Sequence, residues 1–221
     1  MRTRPLLWIT GISVAFQAAL SAWALTQIPA GTQVPIHWGI DGRPDGYADA
    51  LLALLLTPGI TLLLGLLLAV VPSFDPRRGN LVRSSTAYLW ICGAVLVFIA
   101  GLHVVLVLAA LGNDVEVTRF IGVGIGALFA VIGNFLGKTR SSWFLGIRTP
   151  WTLSSELSWT RTHRLGGILF VAVGLITMLV SLVLPPEAFF LTLMIGVLGS
   201  VVVLFAYSYF VWRDDPDRRP S

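Results

Sequence analysis

The 221-residue chain is 56% hydrophobic and only 12% charged, with a mean hydropathy of +0.83. No soluble domain of this length buries that much apolar surface, so the chain is assigned to a bilayer. Its formal charge of +4 is scattered over short segments and does not resemble a nucleic-acid patch, and its single cysteine, Cys92, excludes an intramolecular disulfide.

A hydrocarbon core of ~30 Å takes about 20 apolar residues per helix. Six charge-free runs meet or approach that length: 6–26, 51–71, 87–111, 120–136, 167–184 and 188–212. They are apolar on every side, whereas barrel strands alternate, so the predicted fold is an all-α polytopic membrane bundle of six transmembrane helices. The first run follows "RTR" and holds Ala22 and Ala24, a signal-like arrangement, but its 21 residues are long for a signal core and it is read as a retained helix. After it comes "IPAGTQVPIHWGIDGRPDGYADA". Here His37, Asp41, Asp45 and Asp49 are spaced by four, but the intervening glycines and Pro44 preclude a helix that would gather them on a cation. The segment reads as a string of turns at Asp41-Gly42 and Asp45-Gly46, stiffened by Pro35 and Pro44, and no metal site is assigned.

Pro58 in the second run frees a backbone carbonyl and is expected to kink its helix. The third run carries His103, an intramembrane imidazole expected to hydrogen-bond a neighbouring helix. In the fourth, Gly122, Gly126 and Ala130 repeat every four residues, a face for close helix packing, and Asn134 continues the register. The fourth and fifth runs are short, so their helices are expected to extend past the apolar residues, with Arg119 and Lys138 snorkelling at the ends of the fourth.

The longest polar segment, "GNFLGKTRSSWFLGIRTPWTLSSELSWTRTHRLGG", spans 133–167. Thr149 and Pro150 form a helix start and Gly166-Gly167 a candidate end. The helix between them lacks a clean apolar face, so something else must hold it. Trp143, Trp151 and Trp159 suit a headgroup belt, and Arg148 suits helix-end carbonyls or an acidic partner. Lys and Arg alternate by loop so that 13 of the 15 fall on one side. By the positive-inside rule both termini and this segment are cytoplasmic, and loop 27–50 faces outward.

"GNFLGK", "WFLGIRTPWTL" and "WTRTHRLGG", in that order, resemble the SdpI family of multipass membrane proteins, and "VPIHWGIDGRPDGY" resembles the DUF1648 domain that often precedes it. The resemblance implies residues 1–86 as a DUF1648-like region and 87–221 as an SdpI-like region with its motif loop at 137–166. It implies a protein of the bacterial cytoplasmic membrane that protects against an extracellular peptide toxin, linked in some members to signalling, with no cofactor. Its partners would be the bilayer, the toxin and a cytoplasmic regulatory protein. The pattern touches Pro35, His37, Gly42 and Asp45 outside, and Asn134, Gly137, Gly146, Arg148, Thr149, Pro150, Trp151, Trp159, His163 and Gly166 inside. Two departures stand out: Ser141-Ser142 replaces the family's Pro-Asn, and Ala50 stands where lysine is usual.

A small transporter or exporter is the alternative, for which Pro58, the scattered glycines and His103 are the available features. An enzyme is disfavoured: no nucleophile is paired with a base in sequence, and His163 beside Glu156 reads as a solvated pair.

Overall fold

The structure, a computed structural model, describes residues 3–218. Arg2 and Arg219, two of the cations counted toward the topology, lie outside the described residues. In chain order the elements are α1 (Arg4–Leu25), β1 (Gln33–Trp38), β2 (Pro44–Asp49), α2 (Ala50–Val70), a 3₁₀ turn (Val71–Ser73), α3 (Arg78–Arg83), α4 (Ser85–Ala110), α5 (Val117–Leu136), α6 (Pro150–Ser154), α7 (Glu156–Val183) and α8 (Pro186–Arg213). Six helices, α1, α2, α4, α5, α7 and α8, are long and apolar enough to cross a membrane. The fifth span extends well beyond its apolar run, because α7 begins at Glu156 and carries the polar stretch before residue 167 as its own first turns.

The bundle is two groups of three, α1–α2–α4 and α5–α7–α8, joined where α4 packs on α5. Large aliphatic side chains such as Leu63, Ile195 and Val202 face outward, while Gln17, Ser21, Thr61 and His103 are buried. That inversion of the soluble pattern is what a lipid solvent favours, since lipid cannot hydrogen-bond polar side chains and neighbouring helices can.

Inside the first group a polar ladder replaces an aliphatic seam. Gln17 Nε2 donates to Thr61 Oγ1 at 3.0 Å. The His103 ring lies between α1 and α2: Nε2 is 3.1 Å from both the Gln17 carbonyl and Ser21 Oγ, and Nδ1 meets Thr57 Oγ1. A carbonyl only accepts, so Nε2 carries the proton and Nδ1 accepts from the threonine. Pro58 lies within a continuous α2, and Leu54, whose carbonyl a proline at 58 leaves without its helical donor, accepts from Ser21 Oγ at 2.7 Å.

In the second group glycines bring α5 against α7. A Cβ on Gly126 would stand 2.6 Å from the Gly174 carbonyl oxygen, and one on Gly133 would stand 2.6 Å from that of Gly167. The small-residue face therefore packs within one chain. It does not continue to Asn134, which is exposed, while Gly133 is buried in its place. Each four-residue step overshoots a helical turn by about 40°, so three steps from Gly122 carry Asn134 roughly 120° off the interface. Gly166-Gly167 also do not end a helix, because α7 runs through both.

The 33–49 segment is a β-hairpin rather than a string of turns. Gln33 pairs with Asp49 and Val34 with Ala48, with register shifts between Pro35 and Trp38. Gly42, at φ +77°, lies in the turn as expected, but Asp45-Gly46 sits within β2. Val34 and Ala48 join Ala24, Ile28, Leu54, Leu106 and Val107 in an apolar cluster that seats the hairpin on the ends of α1, α2 and α4. The short apolar alternation in this stretch was masked by its density of turn formers.

Candidate functional site

At the hairpin end of the bundle a crevice of about 430 Å³ lies between the hairpin and the ends of α5, α7 and α8. Pro35, Trp38, Asp41 and Gly42 form one wall, and Asp114, Glu116, Thr118, Arg119 and Phe189 are among the residues opposite. Strict alternation would put Pro35 and His37 on one face; the register shift swaps Trp38 into the crevice and turns His37 out. His37 Nδ1 instead pairs with Asp45 Oδ1 at 2.5 Å on the exposed hairpin surface. Asp41 accepts from the Arg43 amide and Asp49 from the Leu51 amide, capping α2, so the four residues spaced by four serve three separate local tasks. Of the four outer candidates, Pro35 and Gly42 line the crevice, whereas His37 and Asp45 bind each other.

Two properties make the crevice receptive. Its lining charges are three carboxylates (Asp41, Asp114, Glu116) against one guanidinium, Arg119, which is paired with Glu116. Thr118 Oγ1 is buried without a hydrogen-bond partner, an unmet capacity that a bound polar group would satisfy.

At the opposite end, residues 137–166 fold around a stacked pair. The Trp159 and His163 rings lie 3.9 Å apart at 18°. Trp159 Nε1 donates to the Thr139 carbonyl at 3.0 Å, His163 Nδ1 donates to the Trp159 carbonyl at 2.7 Å, and His163 Nε2 accepts from the Ile147 amide at 2.8 Å. His163 is therefore neutral and fully engaged, with a single tautomer set by its neighbours. It is completely buried and makes no pair with Glu156, correcting the solvated reading. Trp159, 1% exposed, is likewise no headgroup anchor. Trp151 packs edge-on against Phe205 and Tyr209 of α8, and only Trp143 is substantially exposed.

Gly146, at φ +123°, carries the chain past these rings, and Gly166 makes room for Ile147. Thr149 caps α6, accepting from the Thr152 amide while Thr152 Oγ1 accepts from the Thr149 amide, and Thr149 Oγ1 reaches Ser208 of α8 at 3.0 Å. The helix begun at Pro150 stops at Ser154, because extended Ser155 caps α7 anew, accepting from the Ser158 amide and donating to Asp215 at 2.5 Å. Arg148 is exposed and donates to the Trp143 carbonyl within the same loop, not to a helix end or a carboxylate.

Residues 138–209 match the SdpI/YfhL protein family, and residues 12–62 match DUF1648, a domain of unknown function. The chain thus carries a stretch similar to DUF1648 followed by one similar to the SdpI/YfhL family. It is 26% identical over 183 residues, 82% of this chain and 84% of the relative, to the immunity protein SdpI of Bacillus subtilis (strain 168). No solved structure matches it. With six spans and this kinship it is a multipass protein of the bacterial cytoplasmic membrane.

The 137–155 loop is held by a partner that sequence reasoning missed, the connection between α2 and α4. Arg77 donates to Ser141 Oγ and, at 2.7 Å, to the Leu153 carbonyl. Asn80 donates to the Ser141 carbonyl, Asp75 accepts from the Trp143 amide, and Ser84 accepts from the Arg140 amide. The Ser141-Ser142 departure is absorbed here: Ser141 receives the arginine, while Ser142 Oγ closes a turn with both the amide and the carbonyl of Leu145. The available signal was "FDPRRGN", a polar cluster facing the motif loop by topology. The other departure, Ala50, is buried as the first residue of α2.

Proposed function

We propose that this protein gives its cell resistance to a secreted antimicrobial peptide, meeting the peptide at the crevice beneath the outer hairpin. The observation that carries the reading is the similarity over most of both chains to a protein named for immunity. The acidic, hydroxyl-bearing crevice supports it, since a cationic, amphipathic peptide would find carboxylates at the rim and apolar Trp38 and Phe189 within. In this reading the termini and the motif loop are cytoplasmic, and the motif either holds the bundle's shape or presents a surface to a regulatory protein. The role is not catalytic. The exporter reading rests on Pro58, the scattered glycines and His103, whose two ring nitrogens are both taken up by neighbouring helices.

The test is survival of a sensitive bacterial host under a panel of secreted antimicrobial peptides, comparing wild type with Thr118→Val, His37→Ala and Arg148→Ala at matched membrane levels. Protection by wild type that is lost in Thr118→Val supports recognition at the crevice. Loss in Arg148→Ala alone would move recognition to the motif. Wild-type cells as sensitive as the empty host to every peptide would overturn the immunity reading.

A further inference from the structure

At the motif end, where α5 meets α7, an open groove of about 720 Å³ runs along the bundle surface. Its floor is backbone, because Gly133 and Gly167 let the two helices touch there. Its long wall is Ile168, Ala172 and Leu175, all exposed and all within a membrane-spanning helix, so the medium against them is acyl chain. Its head is polar: Asn134, Lys138 and Arg164 converge just where the apolar runs 120–136 and 167–184 give out. Lys138 and Arg164 have no carboxylate partner among the described residues. Lys138 Nζ lies 5.0 Å from the Phe135 ring centroid, and the Arg164 stem passes beside Gly137.

We propose that this groove is a binding site for one anionic phospholipid of the adjoining leaflet, its phosphate held by Lys138 and Arg164 and an acyl chain laid along Ile168 and Leu175. Two unneutralised cations at headgroup depth, with the Asn134 amide a helical turn from Lys138 in the same lining, complement a phosphodiester, and the apolar wall complements its tail. The displaced register of Asn134 then has a consequence: the residue that missed the α5–α7 interface stands at the mouth of the groove. The site lies at the opposite end from the crevice and does not depend on the immunity reading.

The test uses the full chain purified in detergent, titrated with phosphatidylglycerol, phosphatidylcholine or inorganic phosphate, with Tm as readout. Phosphatidylglycerol should raise Tm saturably, and neither phosphatidylcholine nor inorganic phosphate should. Removing both cations in Lys138→Gln/Arg164→Gln should weaken the apparent affinity about 30-fold, on the basis of roughly 1 kcal/mol per basic side chain near anionic lipid. Ala172→Phe, which fills the groove and keeps both cations, should weaken it too, whereas Arg83→Gln, which is not among the lining residues, should not. Equal stabilisation by phosphatidylcholine, an unchanged affinity in the double variant or in Ala172→Phe, or reproduction of the shift by inorganic phosphate would each overturn the proposal.

Discussion

A Cβ placed on Gly146 would lie 2.8 Å from two carbons of the Trp159 ring and nearer still to His163 Nε2, at a φ of +123° that L side chains rarely adopt. Both rings are buried and hydrogen-bonded, so neither can retreat without leaving a polar atom unpaired. Gly146→Ala is therefore expected to cost about 2–5 kcal/mol and to lower Tm in a tryptophan-fluorescence melt. A melt superimposable on wild type would sink this account of the motif. The sequence singled out Gly146, Trp159 and His163 but misassigned the partners of the two rings and passed over Thr139 and Ile147, which hold them. Tryptophan prefers lipid headgroups on average, and that preference alone suggests an interfacial Trp159, although its spacing of four from His163 on one helix puts the two rings on the same face. From sequence Arg148 suits helix-end carbonyls or an acidic partner, but its acceptor is the Trp143 carbonyl of its own loop, whose position only the folded turn at Ser142 defines.

Among elements, the contact between α5 and α7 is set by backbone approach, with glycine meeting glycine at two levels of the interface. Substitution by alanine separates proximity from helix propensity if a matched site is available, and α2 supplies one. Nothing lies within 4 Å of a Cβ on Gly59, whereas on Gly126 it would meet the Gly174 carbonyl oxygen at 2.6 Å and the Met178 nitrogen at 2.9 Å. Gly59→Ala should leave Tm unchanged or slightly raised, and Gly126→Ala should lower stability by about 1–3 kcal/mol. Equal Tm values for the two variants would mean that close packing does not hold this pair. The pairing face was legible because small residues at four-residue spacing have few other uses in a membrane helix. Of the ladder of Gln17, Ser21, Thr57, Thr61 and His103, only the histidine was legible, as an imidazole bonded to a neighbouring helix. A search of the spans for charge passes over uncharged hydroxyls and amides, and only the folded bundle shows that Ser21 answers the carbonyl associated with Pro58.

For the whole molecule, the two ends differ in charge and in how they are closed. Among the described residues, the hairpin end carries Arg43 and Arg119 with the acidic crevice, while the motif end gathers the other Lys and Arg and ties the α2–α4 connection to the 137–155 loop through Arg77, Asn80 and Asp75. In the proposed reading the six candidate spans leave both ends of the described chain on one side of the membrane, and the positive-inside rule would make that side cytoplasmic. A direct check is available because the lone cysteine is buried within α4, so a Cys92→Ala background has no native thiol and little to lose by it. In that background Arg43→Cys, with its side chain 87% exposed at the hairpin tip, should react with a membrane-impermeant maleimide in intact cells. Arg148→Cys should react only after the membrane is permeabilised. The reverse pattern would turn the bundle over: the acidic crevice would open to the cytoplasm, where a secreted peptide cannot reach it, and the Lys138–Arg164 groove would meet the outer leaflet.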